Sequence, residues 1–155
     1  MSRAEESEGQ QLARNLNELL QELRVAQAGV QILFGFLLAV AFTERYASAS
    51  GYLKGIHLIT VLFAVIAIAS LIAPVAWHRL LFRLGRREEI IRVSDRFAVI
   101  GLISLAVAMS GTVVLLVEVA VGGWPAIVAG VLAALGFAVV WFAMPGWQRQ
   151  RGSVT

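Results

Sequence analysis

Four apolar stretches dominate the chain, and each is long enough to cross a membrane as a helix. They cover residues 25–42, 55–77, 97–121 and 124–144. A helix rises about 1.5 Å per residue, so roughly 20 apolar residues span the ~30 Å hydrocarbon core of a bilayer. The sequence therefore predicts an all-α fold, a four-helix transmembrane bundle.

Composition agrees with residence in a membrane. Of 155 residues, 59% are hydrophobic and 15% are charged. A water-soluble fold of this size would have to bury more apolar surface than one small core can hold. The chain has no Cys, which excludes disulfides and thiolate metal sites. We expect neither a metal nor a cofactor.

The apolar stretches divide the chain into four parts. Residues 1–9 are polar and small, which is typical of a disordered tail. An amphipathic helix is expected over 10–24, the four-span membrane domain over 25–145, and a second tail over 146–155. The acidic N-terminal residues lack the short apolar core of a secretory signal, so the first span should be retained.

Orientation follows from the distribution of basic residues. Eleven Arg residues lie in the N-terminal segment, the middle loop and the C-terminal tail, whereas only Arg45 and Lys54 lie in the two turns on the other side. The positive-inside rule then places both termini and the middle loop in the cytoplasm.

The segment before the first span carries a stripe of leucines. Its members recur at helical spacing: Leu12, Leu16, Leu19, Leu20 and Leu23. Such a stripe indicates an amphipathic helix. Two alternatives stay open: the leucines lie on the cytoplasmic leaflet, or they pack against another helix in an oligomer or a partner protein.

The middle loop, residues 78–96, is strongly basic. Four of its arginines are candidates for contact with anionic lipid headgroups: Arg83, Arg86, Arg87 and Arg92. Each basic residue near a charged membrane surface contributes ~1 kcal/mol. The alternative is that these arginines only set the topology. Charge held against headgroups has little freedom to follow a phosphate backbone, so we expect no nucleic-acid partner.

Glu118 is a carboxylate within a long apolar run, and ionisable groups inside membranes are candidate functional sites. It lies near the outer end of the third span, on the same side as His57 and Glu44. The three would form a titratable cluster if the fold brings them together. Otherwise Glu118 is an interfacial, solvated or paired carboxylate, and His57 is solvated at a helix start.

Arg24, Gln27 and Gln31 share one stripe of the first span. Polar groups on a stripe avoid lipid, so we expect them to face the bundle interior or a symmetry mate. They then serve either as hydrogen-bonding contacts between helices or as the lining of an inward-facing polar vestibule. His78 and Asp95, at opposite ends of the middle loop, are placed to pair and close such a vestibule.

Stripes of small residues suggest how the last two spans pack. Gly130, Ala134 and Ala138 are four residues apart on the fourth span, and Ser104, Ala108 and Thr112 repeat this spacing on the third. Small residues let helix backbones approach closely in a membrane.

Two motifs carry a family resemblance. NELL at 17–20 followed by ELRVAQAGVQILFGFLL at 22–38, and APVAWHRLLFR at 73–83, resemble an uncharacterised family of small four-span membrane proteins common in actinobacteria. The resemblance covers about residues 12–145. The family is a domain of unknown function, and some members are labelled sodium:proton antiporters. It implies a bacterial inner-membrane location and marks five motif positions, but no catalytic one: Arg24, Gln27, Gln31, His78 and Arg79.

The sequence lacks the motifs that are typical of several enzyme classes. It has no His-Glu-x-x-His zinc motif, no phosphate-binding glycine loop with Lys, and no Ser, His and acid set at one depth. We therefore expect a non-enzymatic structural or regulatory membrane component whose basic cytoplasmic face engages lipid, a second copy or another membrane protein. The alternative is a dimeric proton-coupled cation transporter that uses Glu118 or the Gln27 and Gln31 stripe.

Overall fold

The computed structural model describes residues 3–81 and 87–144, and these are helical apart from short turns. The helices are α1 (Arg3–Ala41), α2 (Glu44–Ala47), α3 (Gly51–Leu81), α4 (Arg87–Ala120) and α5 (Trp124–Ala138), which continues as a π-helical turn (Val139–Ala143). The described ranges contain no strand. The predicted all-α fold is confirmed.

Four segments are long and apolar enough to cross a membrane, as predicted. They are Gln21–Ala41 in α1, Gly51–Ala76 in α3, Val93–Ala120 in α4 and Trp124–Ala143 at the end of the described chain. The helix α1 begins at Arg3, inside the segment that the sequence assigns to a tail, and it runs without a break into the first span.

The four long helices pack in the order α1, α3, α4, α5. The central pair α3 and α4 makes the most extensive contact, while α1 packs on α3 and α5 packs on α4. Each of these pairs is antiparallel because a short connection joins consecutive spans. The outer helices α1 and α5 therefore keep most of their surface exposed.

Small residues form the seam between α3 and α4. On α3 the buried positions alternate in steps of three and four: His57, Thr60, Ala64, Ala67, Leu71 and Pro74. On α4 they follow the same rule: Ser94, Ala98, Gly101, Leu105 and Ala108. Alternation of three and four is the period of helices that pack as in a coiled coil. Short side chains at these positions let the backbones approach closely, which drives helix association in lipid.

Glycines mark the closest approaches. A Cβ atom at Gly101 would lie 2.8 Å from the Cγ of Leu71, and one at Gly111 would overlap the hydroxyl of Thr60. The same holds for Gly130 on α5, where a Cβ would overlap a methyl group of Val114. Glycine is therefore required at these three positions if the neighbouring side chains are to stay in place.

The contact of α1 with α3 follows a heptad. Leu23, Val30 and Leu37 are buried at steps of seven, and Ala26 and Leu33 pack beside them. Counting back along the same helix, Leu12, Leu16 and Leu19 continue this register toward the N-terminus. The side chains of these three leucines lie outside what the structure describes, so their contact with the leaflet or with another helix stays a prediction.

The small-residue stripe predicted on the fourth span is partly wrong. Gly130 is buried against α4, but Ala134 and Ala138 are exposed. Residues four apart are offset by about 40° around a helix, so a stripe with this spacing turns away from the neighbouring helix within a few repeats. The observed face alternates steps of four and three from Ala126 through Gly130 and Ala133 to Phe137.

We predict that Gly111→Ala destabilises the fold by about 1–3 kcal/mol because the new methyl group overlaps Thr60. Thr60 is β-branched and its hydroxyl already donates to the carbonyl of Ile56 at 2.7 Å, so it cannot easily turn away. Thermal unfolding in detergent measures the effect. Gly29→Ala is the matched control, since nothing lies within 4 Å of its Cβ position. Equal melting temperatures for the two variants would contradict the close packing, and Thr60→Ala should partly rescue Gly111→Ala.

Candidate functional site

A cavity opens at the end of the bundle where α2 lies, which we call the α2 end. Its volume is about 660 Å³, and it lies between the last turns of α1 and α4 and the first turns of α3. Much of its lining is apolar, including Phe36, Leu37 and Leu116. The polar lining residues are Thr43, Arg45, Tyr46, Ser48, Ser50, His57, Thr112 and Glu118.

His57 is the most deeply buried polar group of the cavity, with 3% of its surface exposed. Its Nε2 lies 2.9 Å from the carbonyl oxygen of Leu37 on α1. A carbonyl only accepts hydrogen bonds, so Nε2 carries the hydrogen. The other ring nitrogen, Nδ1, is buried and has no hydrogen-bond partner among the described residues. In the neutral ring, Nδ1 is therefore an acceptor without a donor.

The ring of Tyr46 covers this histidine. The two ring centroids are 4.8 Å apart, with the planes tilted by 60°. Tyr46 is held by the short helix α2, whose N-cap Thr43 accepts a hydrogen bond from the backbone N–H of Tyr46 through its hydroxyl. The capped turn between α1 and α3 thus places an aromatic ring over the buried imidazole.

The basic residues at this end bind helix carboxyl termini. Arg45 Nη2 donates to the carbonyl of Val119 at 3.4 Å, in the last turn of α4. Lys54 Nζ donates to the carbonyl of Ala47 at 2.9 Å, at the end of α2. The last carbonyls of a helix have no partner within it and carry partial negative charge, so a cation stabilises them. Arg45 in this way ties α2 to α4 across the mouth of the cavity.

The structure brings two members of the expected cluster together. His57 and Glu118 line the same cavity, and Glu118 is half-buried. Glu44 begins α2, is exposed and is not part of the lining. The expectation that His57 is solvated at a helix start is wrong, because the turn carrying Tyr46 and the end of α1 enclose it.

Gln27 makes a contact between helices. It is half-buried, and its Nε2 donates to the carbonyl of Leu71 on α3 at 2.6 Å. Pro74 follows three residues later and has no N–H to donate to Ser70, so the hydrogen-bond ladder of α3 is interrupted in this turn. The amide of Gln27 thus joins α1 to α3 one residue from the carbonyl that Pro74 leaves without its helical donor.

Arg24 and Gln31 have a different environment. Both are exposed. The α3-facing side of α1 is centred on Leu23, Val30 and Leu37, and helical geometry places Gln31 about 100° away from it. Of the two environments expected for this stripe, the bundle interior is found for Gln27 alone.

The middle-loop residues are described in part. Asp95 is exposed on α4. For His78 and Arg79 on α3, and for Arg87 and Arg92 on α4, the structure describes the backbone only. Arg83 and Arg86 lie outside the described residues. Pairing of His78 with Asp95 and contact of the arginines with lipid therefore stay predictions.

Two further residues were missed by sequence reasoning. Tyr46 lies in a segment that reads as a loop, although Thr43 before an acidic residue is an N-cap signal for a short helix. Ser94 is buried, and its hydroxyl has no hydrogen-bond partner among the residues that the structure describes. Within those residues no group of three or more His, Asp or Glu is placed to hold a metal ion.

A known protein family matches most of the chain. The family model described as "Family of unknown function (DUF6328)" matches residues 5–145. The chain belongs to this family. The match includes all four DUF6328 spans, the cavity and both motifs that carry the resemblance. No curated protein and no solved structure is significantly similar to this DUF6328 chain.

We predict that Gln27→Leu lowers the unfolding free energy of this DUF6328 protein by roughly 0.6–2 kcal/mol, the range for interhelical hydrogen bonds in lipid. Gln31→Leu is the matched control, because it makes the same chemical change at an exposed position of the same helix. Chemical or thermal unfolding of the monomer in detergent compares the two. If Gln31→Leu destabilises the monomer as much as Gln27→Leu, the bond to Leu71 has no special role.

Proposed function

We propose that this protein is a non-enzymatic structural or regulatory component of a bacterial inner membrane, with both termini in the cytoplasm. Its basic cytoplasmic end binds anionic lipid headgroups. The observation that carries the proposal is that α3 and α4 both continue as helices beyond their spans. The spans end at Ala76 and begin at Val93, whereas the helices extend to Leu81 and start at Arg87.

These extensions hold basic residues close to the bilayer. Helical rise places the backbone of Arg79 about 4.5 Å beyond the span of α3, and that of Arg87 about 9 Å before the span of α4. Both distances are comparable to the Debye length of ~8 Å at physiological ionic strength. Arg92 immediately precedes Val93 and is closer still. Each such charge attracts anionic headgroups with ~1 kcal/mol.

Packing along α3 supports a membrane component over a pore within one chain. Among the described side chains, α1 hydrogen-bonds to α3 at His57 and at Leu71, and about 21 Å of helix separates these places. Between them the α4-facing positions of α3 include Ala64 and Ala67, which are fully buried. Tight apolar packing thus separates the cavity at the α2 end from the polar contact of Gln27.

Lipid binding is tested with the four middle-loop arginines. The test variant combines four substitutions: Arg83→Gln, Arg86→Gln, Arg87→Gln and Arg92→Gln. Because four charges near the membrane surface are removed, we expect its preference for phosphatidylglycerol over phosphatidylcholine to fall at least tenfold. Native mass spectrometry of the detergent-solubilised protein with each added lipid measures the preference. Higher salt should weaken it in the wild type.

The control for this experiment is the pair Arg45→Gln and Lys54→Gln, the basic residues of the α2 end. We expect this variant to keep the preference. A wild-type protein that binds both lipids equally would leave the arginines with a role in topology only.

A second candidate function, dimeric proton-coupled cation transport, is favoured by one observation at the cavity. Nδ1 of His57 is buried without a partner among the described residues, and His57 and Glu118 line the same cavity. Leaving a buried polar group unsatisfied costs about 1–3 kcal/mol. A functional role explains why a protein keeps such an unsatisfied group. Here the role is that of an acceptor for protons that enter through the cavity.

His57→Leu separates this function from a packing role. The variant loses the bond to Leu37 but also removes the unsatisfied Nδ1, so we expect its melting temperature in detergent to be equal to or above that of the wild type. In proteoliposomes with a pH-sensitive dye, a sodium gradient should drive proton flux that is lost in His57→Leu and Glu118→Gln. Glu44→Gln, outside the cavity lining, should keep it. Absence of flux in the wild type under any cation gradient would remove this candidate.

A further inference from the structure

The exposed surface of α1 has two different faces. One carries large apolar side chains suited to lipid: Val25, Ile32 and Phe36 are 74%, 75% and 60% exposed. The other carries Ala28, Gln31 and Gly35, which are exposed as well. Helical geometry places these three within about 60° of arc, well away from the side that packs on α3. We call this second face the amide face.

Gln31 lies at the middle of its span. The first span runs Gln21–Ala41, so ten residues separate Gln31 from each end. At about 1.5 Å per residue, its Cα lies ~15 Å from either end of this segment, well inside the apolar part of the helix. Among the described residues no hydrogen bond to this amide is found. Lipid tails offer none either, and a polar group without a partner in hydrocarbon is costly.

The neighbours of Gln31 on this face are small. Ala28 is one turn toward the N-terminus and Gly35 one turn toward the C-terminus, and nothing lies within 4 Å of a Cβ built on Gly35. A second helix has room to approach there, as small residues at membrane helix contacts allow. The other outer helix, α5, differs, because no polar side chain lies among residues 126–140 and its exposed surface includes Val131, Leu132 and Leu135. That surface needs no partner other than lipid.

We infer that the amide face pairs with the same face of a second copy, so that two α1 helices run parallel with their Gln31 amides hydrogen-bonded near the membrane centre. All copies insert in one orientation, which brings Gln31 of each to the same depth. An amide both donates and accepts, so two copies related by a twofold axis satisfy each other. A different protein would have to present a matching polar group at that depth.

Arg24 lies on the amide face about 10 Å nearer the N-terminal boundary of the span. Its long side chain extends toward the headgroups, as basic residues near span ends do, so that the two guanidinium groups of a pair separate. The α3-facing side of α1 is untouched by this pairing, and the bundle of each copy stays as described.

Cysteine cross-linking tests the geometry, and the natural chain has no Cys to interfere. Ala28→Cys and Gly35→Cys should form disulfide-linked dimers when the purified protein is oxidised in phosphatidylcholine liposomes, because a disulfide needs Cα atoms within about 7 Å. Phe36→Cys, about 80° or more around the helix from all members of the amide face, is the control and should stay monomeric. Equal cross-linking at Phe36 and Gly35 would overturn the assignment, as would adducts to another protein alone in native membranes.

Energy transfer between labelled copies at increasing lipid dilution measures association. We expect Gln31→Leu to lower the association constant roughly three- to tenfold, which corresponds to the measured strength of interhelical hydrogen bonds. Gln31→Asn should retain most of it, Gly35→Leu should abolish it by steric overlap, and Ile32→Leu should leave it unchanged. The melting temperature of each monomer reports whether the fold is intact. A wild-type protein that is monomeric at all densities, or Gln31→Leu with unchanged association, refutes the pairing.

Discussion

Hydrocarbon supplies no hydrogen-bond partners, and this constraint governs the structure. It requires every backbone amide in the membrane to bond within its own helix, which accounts for the long uninterrupted helices. It also removes the usual hydrophobic driving force between helices, so that association depends on close approach. Gly101 against Leu71 and Gly111 against Thr60 provide this approach in the central pair. The outer helices α1 and α5 then attach to a pair that is already tightly packed.

The same constraint sorts the polar side chains. Five of those within the spans donate to a backbone carbonyl: Gln27 to Leu71, His57 to Leu37, Thr60 to Ile56, Ser110 to Ala106 and Thr112 to Ala108. Two of these bonds join α1 to α3, one near each end of their contact. Against this background the exceptions are informative. Nδ1 of His57 and the amide of Gln31 are polar groups whose partners are not found in the described part of the chain, and the transport candidate and the pairing of α1 begin from them.

The sequence was sufficient for the spans, since length and apolar composition decide whether a segment can cross a bilayer. It was not sufficient for which face of each span is buried. Gln27 and Gln31 look equivalent in sequence, yet one step of four residues turns Gln31 away from α3. The stripe of Gly130, Ala134 and Ala138 failed for the same reason. His57 was misjudged because its burial depends on Tyr46, which a short capped helix brings over the ring from a segment that reads as a loop. Periodicity gives relative angles within a helix, but the direction of the neighbouring helix comes only from the fold.

The continuity of α1 has a mechanical consequence. One rod of 39 residues joins the leucine-bearing arm to the membrane and ends beside the cavity, where the carbonyl of Leu37 holds the imidazole of His57. A rod without a hinge conveys torque along its axis. Because the rod has no break, a rotation of the arm about the helix axis would turn Gln31 and the carbonyl of Leu37 with it.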